Sequence, residues 1–243
     1  MVHSRNSPVI AKAAGASYLL KQHGFKGNGL NSFAQLKAHG LYVITDGPRS
    51  DLLEVAEQAL AGGARVLQYR DKTPDSARRL DEALALKRLC SRHGVPLIIN
   101  ADVELAKVVG ADGVHLGPED IDLASARAAL GKNVIIGVSC LASLDRAQAA
   151  ARGGASYVSF GAFFASPTKP HAGYASIDLL KQTVALGIPR VAIGGITPDN
   201  GQSIVDAGAD FIAAVSAVFG AHDVRAAARR FADLYSTDHG TPA

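Results

Sequence analysis

Two cysteines, Cys90 and Cys140, are all that the 243 residues contain. They cannot form a disulfide framework, and neither has a second cysteine at metal-ligand spacing, so a cytoplasmic setting fits best. Long apolar runs are missing as well. None approaches the roughly 18 residues of a membrane-spanning helix, which argues against a membrane partner. Acidic residues are absent from the first part of the chain, where Arg5, Lys12, Lys21, Lys26 and Lys37 all precede the first acid, Asp46. The formal charge of +3 less those five leaves −2, so the rest of the chain is not a basic nucleic-acid surface. Residues 1–40 also lack the apolar core and small-residue cleavage site of a signal peptide. They read as a short N-terminal extension, either partly helical, with one helix near Pro8 to Gln22 and a loop rich in glycine and asparagine, or disordered, and residues 237–243 read as a disordered tail.

What is present is apolar sequence in short pieces. A 48% hydrophobic content is enough for a full core. From Leu41 onward, LYVIT (41–45), ARVLQYR (64–70), PLIIN (96–100), DGVHL (112–116), NVIIGVS (133–139), YVSFG (157–161), RVAIGG (190–195) and FIAAVS (211–216) each precede a stretch of helical period. Continuously apolar strands fit a parallel sheet covered on both faces. Gly-Ala pairs at 63–64, 110–111, 154–155 and 208–209 follow several of the helices, where glycine ends the helix and the chain turns into the next strand. Eight strand-then-helix units over 41–236 predict an α/β fold, a (β/α)8 TIM barrel with its active site at the C-terminal strand ends. A doubly wound sheet is the alternative, but TDGPRSD after the first strand has one glycine where a dinucleotide fingerprint needs three.

In a barrel the strand ends form one constellation. Gln68, Arg70 and Lys72 leave strand two, Asn100 strand three, His115 and then Asp120 strand four, and Ser139 strand five. Ser166, Thr168 and Lys169 follow strand six, Gly194 and Gly195 end strand seven, and Ser216 ends strand eight. Two anion sites can be read here. IGGIT offers bare backbone amides and Ser216 stands at the N-terminus of the last helix, a pairing suited to a phosphate; the plainer alternative is glycines that only shape a tight turn. Arg70 offers a planar fork and Lys72 a point charge, with Lys169 on the other side. Alone, Arg-Asp-Lys reads as a solvated charge run; beside Asn100 it reads as an anion site. Two anion sites suggest two substrates, at least one of them a diphosphate.

The remaining reactive side chains are less persuasive. His115 invites a general-base role, yet its apolar neighbours suit a hydrogen-bonded spacer. Cys140 has no histidine beside it in sequence to activate it and reads as an inert buried thiol. Asp71 and Glu82 read as solvated charges.

The motifs LYVITD, QYRDK, LIIN, ADGVHLGPED, GVS, SPTK, AIGGI and AVSAV, in that order from Leu41 to the last helix, resemble the thiamine phosphate synthase and thiazole tautomerase family. The resemblance implies a transferase that condenses hydroxymethylpyrimidine diphosphate with thiazole phosphate, giving thiamine monophosphate and pyrophosphate. It further implies that the diphosphate leaves first and the thiazole nitrogen captures the resulting pyrimidine cation. Carried over, Gln68, Arg70, Lys72, Asn100, Ser139 and Lys169 hold the pyrimidine diphosphate, and Ser166, Thr168, Gly195, Val215 and Ser216 hold the thiazole phosphate. Arg70, Lys72 and Lys169 are then the catalytic charges, and Asp120 a ligand to Mg²⁺.

The chain departs from the family pattern at Ala101, where a second magnesium carboxylate is expected, and at Pro118, in place of a glutamine. Asp102 is one residue offset, which turns it away. The histidine that the tautomerase uses after strand five is missing from Val138-Ser139-Cys140-Leu141. Two other readings stay open: a non-catalytic relative that binds thiamine phosphates as sensor or carrier, motivated by Ala101 and Pro118, and another phosphate-binding barrel isomerase.

Overall fold

The structure, a computed structural model, describes residues 39–165 and 174–236. The helix expected near residues 8–22, the site residues Ser166, Thr168 and Lys169, and the tail at 237–243 lie outside the described residues.

Eight parallel strands close into a barrel in sequence order, with β8 pairing β1. They are β1 (Gly40–Ile44), β2 (Val66–Tyr69), β3 (Leu97–Asn100), β4 (Gly113–Leu116), β5 (Ile135–Ser139), β6 (Tyr157–Phe160), β7 (Arg190–Ile193) and β8 (Phe211–Ala214). Between and after them run α1 (Leu52–Ala61), α2 (Ser76–His93), α3 (Val103–Val109), α4 (Leu123–Leu130), α5 (Leu144–Arg152), α6 (Asp178–Gln182), α7 (Gln202–Asp206), α8 (Ser216–Phe219) and α9 (Val224–Asp233). No helix among the described residues is long and apolar enough to cross a membrane.

Local chemistry sets the helix starts. The side chains of Asp75, Asp102, Asp122, Ser143 and Asp223 each accept from the N–H three residues on, satisfying a donor that the helix leaves unpaired. Gly94 and Gly110 end α2 and α3 in the left-handed conformation. Two expected helices differ. The last one divides, because Asp223 caps a second start at α9, and Ser216 therefore begins the four-residue α8 rather than the closing helix. The helix after β6 stops at Gln182, where the Thr183 hydroxyl donates to the carbonyls of Leu179 and Leu180 and a 3-10 turn (Val184–Leu186) follows.

The Gly-Ala turns carry a second function. The residue after the pair bonds the adjacent strand at the bottom of the barrel. Asp112 accepts from Leu97 N–H at 2.8 Å, Ser156 from Ile136 N–H at 3.0 Å, and Asp210 from Arg190 N–H at 2.8 Å. Lys87 and the Arg190 guanidinium complete the two aspartate sites as ion pairs.

Side chains alternate across each strand, so one set packs under the helices and the other fills the barrel. Leu41, Val43, Leu67, Ile99, Val114, Val158 and Ile212 belong to the outer core, and Tyr42, Ile44, Val66, Ile98, Ile135, Val191 and Phe211 to the inner one. Above the inner layer runs a polar chain. Gln68 Nε2 donates to Tyr42 Oη at 2.8 Å, Tyr42 Oη meets Tyr157 Oη at 2.9 Å, and Tyr157 Oη meets His115 Nδ1 at 2.9 Å. Gly137 makes room for it, since a Cβ there would fall on the Tyr157 ring. Burial raises the pKa of both tyrosines and pushes that of His115 down to about 4, so the chain is neutral at physiological pH.

Replacing Asp210 with alanine leaves the Arg190 N–H and Nε without their acceptor, while Nη1 keeps its bond to Leu180 carbonyl oxygen; urea unfolding is expected to show a loss of about 1–3 kcal/mol. A pH effect follows from His115. Below its ordinary value of 6.5 the unfolded chain takes up a proton that the folded chain refuses until about pH 4. Stability therefore declines as pH falls through that window. In urea midpoints compared at pH 7.5 and pH 5, His115→Gln is expected to show a smaller acid loss than the unaltered chain.

Candidate active site

At the C-terminal mouth, the alternation that sends Val66 inward sends Gln68 and Arg70 inward too, and likewise Asn100, Ser139 and Ser159. The Arg70 backbone is gripped from β1. The buried Thr45 Oγ1 accepts from Arg70 N–H at 2.7 Å and donates to Arg70 carbonyl oxygen at 3.0 Å. Arg70 is half-buried and Lys72 exposed. No side chain of Arg70, Lys72, Asn100 or Ser139 has a hydrogen bond or ion pair with another described residue. By contrast Arg78, Arg79, Lys87 and Arg190 are all paired.

Asp71, expected in solvent, is buried at 8% exposure. Its Oδ1 accepts from Thr73 N–H at 2.8 Å, and its Oδ2 lies 2.6 Å from Arg78 Nη2, an ion pair whose angle falls short of a hydrogen bond. Burial alone raises the Asp71 pKa, but the bonds from Thr73 and the charge of Arg78 outweigh it and hold the carboxyl below its ordinary value. Glu82 also leaves the solvated class: it accepts from Tyr69 Oη at 2.6 Å and pairs with Arg78 at 2.9 Å. This cluster fixes the loop that carries Lys72.

The loops after β7 and β8 carry the glycines and the helix start named above. Gly194 and Gly195 have φ of 103° and 67°, and their Cβ positions are taken by Ala162 and by the carbonyls of Phe164 and Ala165. Glycine is thus required there by close packing of the β6 and β7 loops, not only by access for a ligand. The amides still count. Among the described residues, the N–H groups of Gly195, Ser216 and Ala217 donate to no protein acceptor. Val215, also in the expected set, comes between β8 and α8.

Ala101 has φ of 62°, in the left-handed region that aspartate and asparagine tolerate better than alanine. Its N–H donates to His115 carbonyl oxygen at 2.9 Å, and Asp102 N–H reaches back to Asn100 carbonyl oxygen at 2.7 Å, forming a tight three-residue turn. Asp102 caps α3 and pairs with Arg79 at 2.7 Å, away from the mouth. Asp120 is exposed, and its Oδ2 accepts from Gly117 N–H at 2.6 Å. It lies near enough to His115 to oppose the fall in that pKa.

Among the described residues no three His, Cys, Asp or Glu side chains converge as a metal cage. The donor set fits a magnesium ion that shares its shell with waters and substrate oxygens, not one enclosed by protein. Cys140 is buried and its thiol is pushed up to about 11 by burial, as expected of an inert thiol. Thr45, Tyr42 and Tyr157 are the participants that sequence reasoning missed. A period-two division of each strand, counted back from Gln68 and Arg70, would have marked the inward face.

A family model described as "Thiamine monophosphate synthase" matches residues 41–218. The thiamine-phosphate synthase of Chromobacterium violaceum is 52% identical over 201 residues, 82% of this chain and 97% of that one. That of Acidithiobacillus ferrooxidans is 50% identical over 204 residues, 81% of this chain and 94% of its own. Among solved structures, thiamine phosphate pyrophosphorylase from Pyrococcus furiosus superposes with a TM-score of 0.73 at 36% identity, covering 80% of this chain and 94% of that one. With this coverage and identity, carried on the same barrel and strand ends, the chain belongs to the thiamine monophosphate synthase family.

Proposed function

We propose that this chain is a thiamine-phosphate synthase, a transferase that joins hydroxymethylpyrimidine diphosphate to thiazole phosphate and releases pyrophosphate. The observation that carries the reading is the half-buried Arg70, which, like Lys72, Asn100 and Ser139 around the same mouth, has no side-chain partner among the described residues. The two cations among them gain most from an anion, and the Asn100 and Ser139 side chains can add hydrogen bonds to it. Family membership supports a diphosphate as that anion.

Arg70 and Lys72 place positive charge where the departing diphosphate gathers negative charge, which lowers the barrier to its leaving. Asn100 and Ser139 orient that group, and Gln68 meets the pyrimidine ring. Lys169 joins the cations by resemblance, and Ser166 and Thr168 join Gly195, Val215 and Ser216 in holding the thiazole phosphate. The N–H groups of Gly195, Ser216 and Ala217, which have no acceptor among the described residues, suit that second anion. Asp120 would hold Mg²⁺ through one carboxylate, and the ion would neutralise diphosphate oxygens when bound. A cytoplasmic setting suits the two free thiols, and the partners are small molecules.

A second reading, binding without turnover, is favoured by Ala101 alone. Purified protein given both substrates across a range of Mg²⁺ separates the two, since formation of thiamine monophosphate excludes the binder. Arg70→Ala is expected to lower kcat/KM about 10²–10³-fold. It should leave the thermal midpoint unchanged, because the side chain holds no other described residue. Ala101→Asp adds a carboxylate at a backbone conformation that aspartate accepts. The Mg²⁺ concentration giving half-maximal rate is expected to fall, with no loss of thermal stability; an unchanged Mg²⁺ dependence counts against a metal at that strand end.

A further inference from the structure

Gln68 is 2% exposed, and the bond from its amide nitrogen to Tyr42 Oη is the start of a chain with a direction. A tyrosine hydroxyl carries one proton, and a buried one that accepts from one neighbour uses that proton by donating to another. With Gln68 donating to Tyr42, the sense that satisfies every group of the chain has Tyr42 donating to Tyr157 and Tyr157 donating to His115 Nδ1. An accepting Nδ1 leaves the proton of the neutral imidazole on Nε2, which lies 3.5 Å from Ser159 Oγ. Turning the Gln68 amide over would reverse both hydroxyls and move the His115 proton to Nδ1. The alternative to reversal is two lone pairs or two protons facing each other in a buried place, which is costly.

We propose that Tyr42 and Tyr157 are positioning residues that lock the sense of the Gln68 carboxamide and so make the site selective for a ring edge with an amino group beside an unprotonated nitrogen, over the matching oxo edge. This rests on the reading above that Gln68 meets the pyrimidine. An amide presents a carbonyl acceptor beside an N–H donor, the pattern by which glutamine reads an amino and ring-nitrogen edge. An oxo group beside a ring N–H needs the opposite sense. In a free glutamine the amide turns at little cost, and both rings bind. Here the turn has to propagate through two buried hydroxyls to an imidazole on another strand. Gly137 is part of the device, because a side chain there would displace the Tyr157 ring that bridges Tyr42 and His115. Neither tyrosine touches the reacting atoms in this scheme; each acts through Gln68.

The test uses the full chain labelled with ¹⁵N-histidine, with long-range ¹H–¹⁵N correlation at pH 7.5 and His115 assigned by its loss in His115→Gln. Calorimetry then compares hydroxymethylpyrimidine diphosphate, its analogue with oxo in place of amino, and pyrophosphate. The expected wild-type spectrum has His115 protonated on Nε2 and bare on Nδ1, with the amino ring preferred. Tyr42→Phe is expected to reduce that preference roughly tenfold or more, to blur the tautomer, and to leave pyrophosphate affinity unchanged. Tyr157→Phe serves as a second variant if Tyr42→Phe folds poorly, and the wild-type tautomer needs no variant. A wild-type His115 protonated on Nδ1 overturns the proposal, as does an amino-to-oxo preference unchanged in a folded Tyr42→Phe. Wild-type protein that binds pyrophosphate but neither ring overturns the substrate reading and the selectivity with it, while the tautomer still decides whether the chain has the stated sense.

Discussion

The pairing of β8 with β1, with Gly40 opposite Phe211 and Ala213 opposite Tyr42, closes the sheet, and the other arrangements in the molecule depend on that closure. A closed parallel sheet has no free edge and divides every strand into an outer and an inner set of side chains. The inner set has nowhere to go but toward the axis or the mouth. Because Gln68 and Arg70 are two residues apart, both face inward, one within the barrel and the other at its rim. Tyr42 and Tyr157 come from strands that are not neighbours, yet closure brings their hydroxyls to 2.9 Å. A chain of hydrogen bonds between distant strands then ties the interior to the mouth.

The two ends of the barrel treat charge in opposite ways. At the bottom, Asp112 and Asp210 each accept a strand N–H and a basic side chain, so their charge is spent inside the structure. At the top, Arg70 and Lys72 have no described partner, while the neighbouring Asp71 is engaged by Thr73 and Arg78. Neutralising Arg70 within the protein would have been easy, as Asp71 is adjacent in sequence. The fold instead directs that carboxylate to Arg78 and leaves the Arg70 guanidinium without a described partner. This division of roles between the two ends is the one expected of (β/α)8 enzymes.

The strand-three and strand-four ends show how backbone and side chain can separate. Ala101 keeps a left-handed turn that suits aspartate, braced by bonds to His115 and from Asp102 to Asn100, although the side chain offers no oxygen. At the end of β4, Asp120 is exposed and accepts from Gly117 N–H. His115 contributes both its carbonyl to this turn and its ring to the interior chain, which accounts for a histidine among apolar neighbours without any acid or base role.

Much of the fold was legible from the sequence. Eight apolar runs, each followed by a helical period, determine eight strand-then-helix units; helix starts at Asp75, Asp102 and Asp122 and the stops at Gly94 and Gly110 lie in local sequence, because caps and turns act over a few residues. The positions of Arg70, Asn100 and Ser139 at strand ends follow from the same local periods, and so does the turning away of Asp102. The burial of Asp71 was not legible, because it depends on Arg78 folding back from α2. Nor was the reason for Gly194 and Gly195, whose Cβ space is filled by a loop some thirty residues earlier in the chain. The Tyr42, Tyr157 and His115 chain was the least legible of all, since each residue looks like ordinary core in its own strand. Hydrogen-bond partners 115 residues apart meet only when the barrel closes, so sequence by itself determined the units and the chemistry at their ends, and tertiary structure alone decided which of those groups face each other.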